Sequence, residues 1–222
     1  EKICKPGIPN RIDPAPSWDR GAGVSPASAV PAFTYLHILR KDIKMKKRIL
    51  LLSSSPRRHG NSDRLCDEFL RGAREAGHDA EKISLRDCRI GYCTGCGVCY
   101  DTRTCPQRDD AAQIVGKMIA ADVIVLATPV YFYAMSAQMK TLIDRCCGPY
   151  TEMKNKEFYF IATAAEDDNG IMDRIVTNFM GFLDCLENPT VKGTLFCGGV
   201  WHVGEIEGNP TLRQAYEQGK RV

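Results

Sequence analysis

Ile49-Leu50-Leu51-Leu52-Ser53-Ser54-Ser55-Pro56-Arg57-Arg58-His59-Gly60-Asn61-Ser62 is the stretch on which the reading of this chain turns. Four aliphatic residues in a row have the pattern of a strand buried on both faces. A polar loop follows, and a helical pattern opens at Asn61 or Ser62 and puts Leu65, Phe69 and Ala73 on one face. A loop at the end of a buried strand that feeds a helix N-terminus attracts anions, because free backbone N–H groups and the helix dipole both favour negative charge there. The hydroxyls of Ser53, Ser55 and Ser62 and the Asn61 amide are suited to donate to phosphate oxygens. Arg57 or Arg58 can add a charge-assisted fork, and Gly60 lets the backbone turn tightly toward a ligand. A capped helix after a serine-rich turn would read the same way, so the rest of the chain has to decide.

Outward from this stretch the pattern alternates. Strands are predicted over 48–52, 79–85, 122–127, 156–163 and 191–199, and helices over 62–76, 109–120, 136–145, 171–186 and 210–221. Gly77 ends the first helix, and Pro210 opens the last. Five βα units in series predict an α/β fold, a doubly wound five-stranded parallel sheet with helices on both faces. The order 2-1-3-4-5 suits five strands, with the ligand beyond their carboxyl ends.

The 222 residues suffice for one such domain and an appendage. Six of the twelve prolines fall in the first 31 residues, so 1–44 reads as a Pro-rich extension, expected to be poorly ordered, ahead of a domain over 45–222. Within it, Phe33, Tyr35, Leu36, Ile38 and Leu39 form a short apolar cluster that suits a docked helical turn. Met45-Lys46-Lys47-Arg48 has the look of a translation start. The extension carries seven Lys/Arg and four Asp/Glu, hence the whole net charge of +3; residues 45–222 hold 23 of each. A neutral body argues against a nucleic-acid groove or a membrane-surface patch. No apolar run approaches the ~20 residues of a membrane helix, and no secretory pattern is seen, so a cytoplasmic protein is expected. Eleven cysteines in such a chain suggest metal, cluster or redox chemistry rather than disulfides.

Two more loops leave strands that would adjoin the first. Thr128-Pro129-Val130-Tyr131-Phe132-Tyr133-Ala134-Met135 carries three consecutive aromatics, which cannot all face a core. One or two should lie against a flat ligand or a partner subunit. Thr163-Ala164-Ala165-Glu166 supplies small residues that leave room for a planar ligand. There is no G-x-G-x-x-G and no G-x-x-x-x-G-K-[ST], so a dinucleotide Rossmann site and a P-loop are disfavoured. Cys93-x2-Cys96-x2-Cys99-x5-Cys105-Pro106 gathers four thiols within thirteen residues, with Gly95 and Gly97 to let the backbone wrap. Such a loop can hold one cubane cluster; zinc, or free thiols or disulfides with no metal, are the alternatives.

Taken together, Ser53-x-Ser55-Pro56-Arg57-x-x-Gly60-Asn61-Ser62, Cys93-x-Gly95-Cys96-x-x-Cys99, Asp109-Asp110 and Thr128-Pro129-Val130-Tyr131 resemble the NADPH-dependent FMN reductase group of the flavodoxin superfamily, and most of all its iron–sulfur flavoprotein branch. The resemblance covers about 46–222. It implies a flavodoxin-like fold and FMN, its phosphate held by Ser53, Ser55, Arg57, Asn61 and Ser62. It implies the isoalloxazine against Pro129, Val130, Tyr131, Phe132 and Tyr133, with Thr163, Ala164 and Ala165 nearby. It also implies NAD(P)H as a transient donor, a 4Fe–4S cluster on Cys93, Cys96, Cys99 and Cys105, and a homodimer or homotetramer that closes the flavin site. Ser54 departs from the glycine often found there, a cost if φ is positive.

The expected activity is therefore an FMN-dependent oxidoreductase that passes electrons between NAD(P)H or a reduced carrier and a small acceptor or protein partner. A flavodoxin-type carrier without turnover and a thiol-redox sensor are the rivals. No catalytic residue is assigned, since flavin reduction by NAD(P)H needs stacking and a dry pocket rather than a protein nucleophile. His59 is expected to face solvent, and His202 to approach the rim. Cys66, Cys88, Cys146, Cys147, Cys185 and Cys197 read as small core residues. Asp109 and Asp110 read as the cap and first turn of a helix.

Overall fold

A computed structural model describes residues 45–222; the apolar cluster expected at 33–39 lies outside them. Strands β1 (Arg48–Ser53), β2 (Asp79–Ser84), β3 (Val123–Tyr131), β5 (Glu157–Thr163) and β6 (Thr190–Cys197) form a parallel sheet in the order β2-β1-β3-β5-β6. This is the expected 2-1-3-4-5 arrangement. Helices α1 (Asn61–Glu75), α3 (Ala111–Ala120), α4 (Ala137–Arg145), α5 (Gly170–Leu183) and α6 (Pro210–Arg221) cover the two faces. Alternation along the strands divides the core. Leu50, Leu52, Ile124, Leu126, Phe158 and Phe160 pack with residues of α3, α4 and α5, and the Phe160 and Phe179 rings stack 4.7 Å apart. Ile49, Leu51, Val123, Val125 and Ile161 face α1 and α6. Burying each such side chain contributes about 1.5–3 kcal/mol.

On that second face two glycines let helices touch backbone to backbone. A Cβ on Gly72 would lie 2.1 Å from the Tyr216 carbonyl oxygen, and one on Gly219 would lie 2.1 Å from that of Phe69. No side chain fits between α1 and α6 at these positions.

Three elements differ from expectation. The segment 128–135 is not simply a loop: β3 runs on to Tyr131 and pairs antiparallel with β4 (Ala134–Met135). Phe132 and Tyr133, at φ 49° and 60°, form the two-residue tip, as hairpins of matching twist require. A five-residue helix, α2 (Val98–Thr102), interrupts the cysteine loop between Gly97 and Arg103, both of positive φ. Finally, α3 begins at Ala111 rather than Asp109. Asp109 Oδ1 accepts the Ala111 N–H at 3.1 Å, whereas the Asp110 carboxylate turns away to accept the Arg89 N–H at 2.6 Å.

Candidate functional site

The ends of β1, β3, β5 and β6 surround an open cleft. Its floor is the N-terminus of α1. Ser55, Arg57, Asn61 and Ser62 line that end, and Gly60 sits among them. The loop is self-bracing: the Ser55 hydroxyl donates to the Arg57 carbonyl at 3.0 Å, and a Cβ on Gly60 would lie 2.3 Å from Ser55 Oγ. Glycine is thus required by close approach, not by a positive φ. Asn61 Oδ1 and Ser62 Oγ are buried and have no hydrogen-bond partner among the described residues. Such groups cost stability unless something binds them. Ser62 Oγ can donate to a phosphate oxygen, and the first-turn N–H groups of α1 point the same way.

The walls of the cleft are apolar. Pro129, Val130 and Tyr131 form one side; Thr163, Ala164 and Ala165 form the other, with Val200 and Trp201 closing the end. A slot with small residues opposite an aromatic and a proline, ending in an anion cradle, fits a flat ring joined to a phosphate. The donor groups and the shape both suit FMN.

Three residues implied for the cofactor stand elsewhere. Ser53 is fully buried and donates to Asp63 Oδ1 at 2.7 Å. Asp63 in turn pairs with Lys82 at 3.0 Å and Arg86 at 3.3 Å, so the Ser53 hydroxyl braces the loop from beneath. Phe132 is fully exposed at the hairpin tip. The Tyr133 hydroxyl donates to Glu166 at 3.1 Å, with the Arg174 guanidinium over its ring. Both lie outside the cleft because the turn carries them past its lip. Ser54 does not have a positive φ. It is buried, its hydroxyl donates to the Ala127 carbonyl at 3.0 Å, and Ser136 Oγ lies 2.9 Å away. The serine therefore joins β1, β3 and α4 and carries no backbone penalty.

The segment after β6 supplies contacts that the sequence alone did not reveal. Arg57 Nη1 donates to the Trp201 carbonyl at 2.5 Å and Asn61 Nδ2 to the His202 carbonyl at 3.0 Å. Glu205 accepts the backbone N–H groups of Trp201 and His202, which hold its carboxyl below the usual glutamate range. Only the paired glycines Gly198 and Gly199 hinted at this. A Cβ on Gly198 would meet the Glu166 carbonyl at 2.6 Å, so β6 leaves the sheet pressed against the β5–α5 loop. His59 is exposed, with φ 55°.

The cysteine loop lies between the single 3₁₀ turn Leu85–Asp87 and α3. Cys93 and Cys96 are exposed; Cys99 and Cys105 are half-buried. Among the described residues no three His, Cys, Asp or Glu side chains converge as a metal site. The four thiols and the positive φ of Gly95 and Gly97 suit an iron–sulfur cluster in kind, and gathering them requires the loop to close. Of the cysteines expected in the core, Cys66, Cys146 and Cys197 are buried, while Cys88, Cys147 and Cys185 are only partly covered. Burial pushes the Cys146 thiol up to about 12, so it stays protonated and inert. No helix among the described residues is long and apolar enough to cross a membrane.

Comparison with known proteins agrees with this architecture. A solved NAD(P)H:quinone oxidoreductase from Methanothermobacter marburgensis superposes with a TM-score of 0.65 at 18% identity, covering 80% of this chain and 97% of that one, which shows the flavodoxin-like fold. Over 91 residues the chain is 41% identical to an iron–sulfur flavoprotein of Archaeoglobus fulgidus, an alignment covering 41% of each; the chain thus spans under half the length of that relative. A second Archaeoglobus fulgidus iron–sulfur flavoprotein is 32% identical over 177 residues, 75% of this chain and 84% of that protein. The family model for NADPH-dependent FMN reductase matches residues 47–195, and the chain belongs to that family.

Proposed function

We propose that the cleft binds FMN and that the protein is an FMN-dependent oxidoreductase, taking electrons from NAD(P)H or a reduced carrier and passing them to a small acceptor or a protein partner. The observation that carries this reading is the unpartnered, buried donor Ser62 Oγ in the first turn of α1, at the foot of an apolar slot. Arg57, Ser55, Asn61 and Ser62 hold the phosphate. Pro129, Val130 and Tyr131 on one side and Thr163, Ala164 and Ala165 on the other orient the ring and exclude water. Bound flavin supplies exchange between two-electron and one-electron donors. Cys93, Cys96, Cys99 and Cys105 hold a 4Fe–4S cluster that relays single electrons; the names of the archaeal relatives support this part. A second copy of the chain covers the exposed Tyr131, Phe132 and Trp201 side chains at the cleft mouth.

An anaerobic absorption spectrum, with iron and acid-labile sulfide assayed on the same sample, tests the proposal. Flavin bands over a broad absorbance that dithionite bleaches, with about four irons per chain, are expected. Flavin without iron would leave an FMN reductase with an empty loop, and no flavin would overturn the reading. Turnover of NADH or NADPH with a quinone separates an enzyme from a carrier. A thiol-redox role has one observation in its favour: the Cys99 thiol is held above its ordinary range by burial and, next, by Cys147. Cys147→Ser should remove a switch through that pair, yet leave iron in place if the cluster reading holds.

A further inference from the structure

Arg145, in the last turn of α4, is buried with a side-chain exposure of 0%. It sits at neither end of the cysteine loop in sequence, yet it touches both. Its Nη1 donates to the Gly91 carbonyl at 2.7 Å, ahead of Cys93. The same nitrogen reaches Gln107 Oε1 at 3.2 Å and Asp109 Oδ2 at 2.7 Å, beyond Cys105, while Nη2 reaches Asp109 Oδ1 at 3.0 Å. The two ends are also joined directly: the Gly91 N–H donates to Asp109 Oδ2 at 2.8 Å and Gln107 Nε2 to the Tyr92 carbonyl at 3.0 Å. A Cβ on Gly91 would lie 2.7 Å from Gln107 Oε1, so a side chain there would push the Gln107 amide out of the closure.

The turn that follows α4 supports the loop's middle. A Cβ on Gly148 would lie 3.0 Å from Cys99 Cβ, and the Gly148 carbonyl faces Arg103 Nη1 at 3.5 Å. A buried guanidinium is costly unless all its donors are met. Here one donor is not: Arg145 Nε is buried with no partner among the described residues. Asp109 is the main group that raises the guanidinium above its ordinary range, with Cys105 a lesser one.

We propose that Arg145 is the positioning residue of the cysteine loop: it clasps the loop's two ends through Gly91, Gln107 and Asp109. The clasp does not depend on the cluster reading above; only its effect on iron uptake does.

The test uses Arg145→Met and Arg145→Lys in the full chain, with FMN content as the control for folding, because Arg145 does not line the flavin cleft. In metal-free protein, trypsin should cut at Arg103 or Arg108 at least tenfold faster in Arg145→Met than in the parent. After anaerobic reconstitution with ferrous iron and sulfide, Arg145→Met should retain under half the parent's iron. Arg145→Lys keeps the charge without the fork; it should fold if the methionine variant does not, and should lose iron in smaller measure. Unchanged tryptic cleavage in Arg145→Met would overturn the clasp. Unchanged iron content would overturn its role in readying the loop for a cluster. A parent chain that takes up no iron would sink the cluster reading, while cleavage would still decide the clasp.

Discussion

The Asn61 side-chain amide bridges two loops: Nδ2 donates to the His202 carbonyl at 3.0 Å, while Oδ1 stays buried without a partner. The amide nitrogen thus ties the α1 N-terminus to the segment after β6, while the oxygen, an acceptor, is left for a donor. Arg57 ties the same two segments through the Trp201 carbonyl. The foot of the cleft is therefore braced jointly by the β1–α1 loop and the backbone of residues 201–202. Replacing both side chains, Arg57→Ala with Asn61→Ala, should weaken FMN binding by about 2–4 kcal/mol through lost hydrogen bonds to a charged group. Titration of the metal-free apoprotein with FMN, followed by quenching of flavin fluorescence, measures this. An unchanged dissociation constant would place the phosphate elsewhere.

The contact of α1 with α6 gives a second expectation. At Gly72 and Gly219 an added methyl group meets a carbonyl oxygen of the facing helix, not the movable end of a side chain. Helical propensity alone would favour alanine by ~1 kcal/mol. Overpacking should outweigh it, so Gly72→Ala and Gly219→Ala are each expected to destabilise by about 1–3 kcal/mol. Urea titration of both variants checks the sign, which propensity and packing set in opposite directions.

The helix glycines mark what the sequence could not disclose. Hydrophobic patterning made the five βα units and the strand order legible, because continuous apolar runs such as Ile49–Leu52 have few other uses. The gathering of Ser55, Arg57, Asn61 and Ser62 at one end of the cleft was legible because they lie in one short segment. The roles of Ser53 and Ser54 were not. Both hydroxyls are turned inward by partners distant in sequence, Asp63 and Ala127, that no local pattern announces. Trp201 and His202 were hidden for a related reason: they act through backbone carbonyls, which every residue has. Arg145 carries no local sign of its role, and only the tertiary fold brings it to Gly91 and Asp109.

The β3–β4 hairpin offers a third expectation. Phe132 holds φ at 49° while its ring is fully exposed, a conformation that bulky residues rarely adopt. Phe132→Asn keeps the turn with a residue that tolerates this region, so thermal stability of the isolated subunit should hold or rise by about 0.5–1 kcal/mol. If a second copy covers this tip, the same change should weaken self-association at least tenfold in sedimentation equilibrium. Lower stability with unchanged association would show that the ring serves its own subunit instead.

Asp63 yields the pH dependence. Burial on its own would push this carboxyl up, but the Ser53 hydroxyl, the Lys82 hydrogen bond and the charges of Lys82 and Arg86 outweigh it and hold the group below the ordinary aspartate range. A carboxylate of depressed pKa contributes stability that is fully present above its unfolded value, about 3.9, and is lost as pH falls through the folded value. Asp109, held down against burial by Arg145 and two backbone N–H groups, acts in the same direction. Unfolding free energy should therefore be flat in these two groups above about pH 5 and fall steeply below about pH 4. Asp63→Asn should remove part of that acid limb and cost on the order of 2–3 kcal/mol at neutral pH. That is less than the ~3–5 kcal/mol of breaking a fully buried pair, because Lys82 keeps Asp67 and Arg86 keeps Asp87. Denaturant titrations from pH 3 to 8 on parent and variant would decide it: parallel curves would mean that Asp63 does not govern the acid limb.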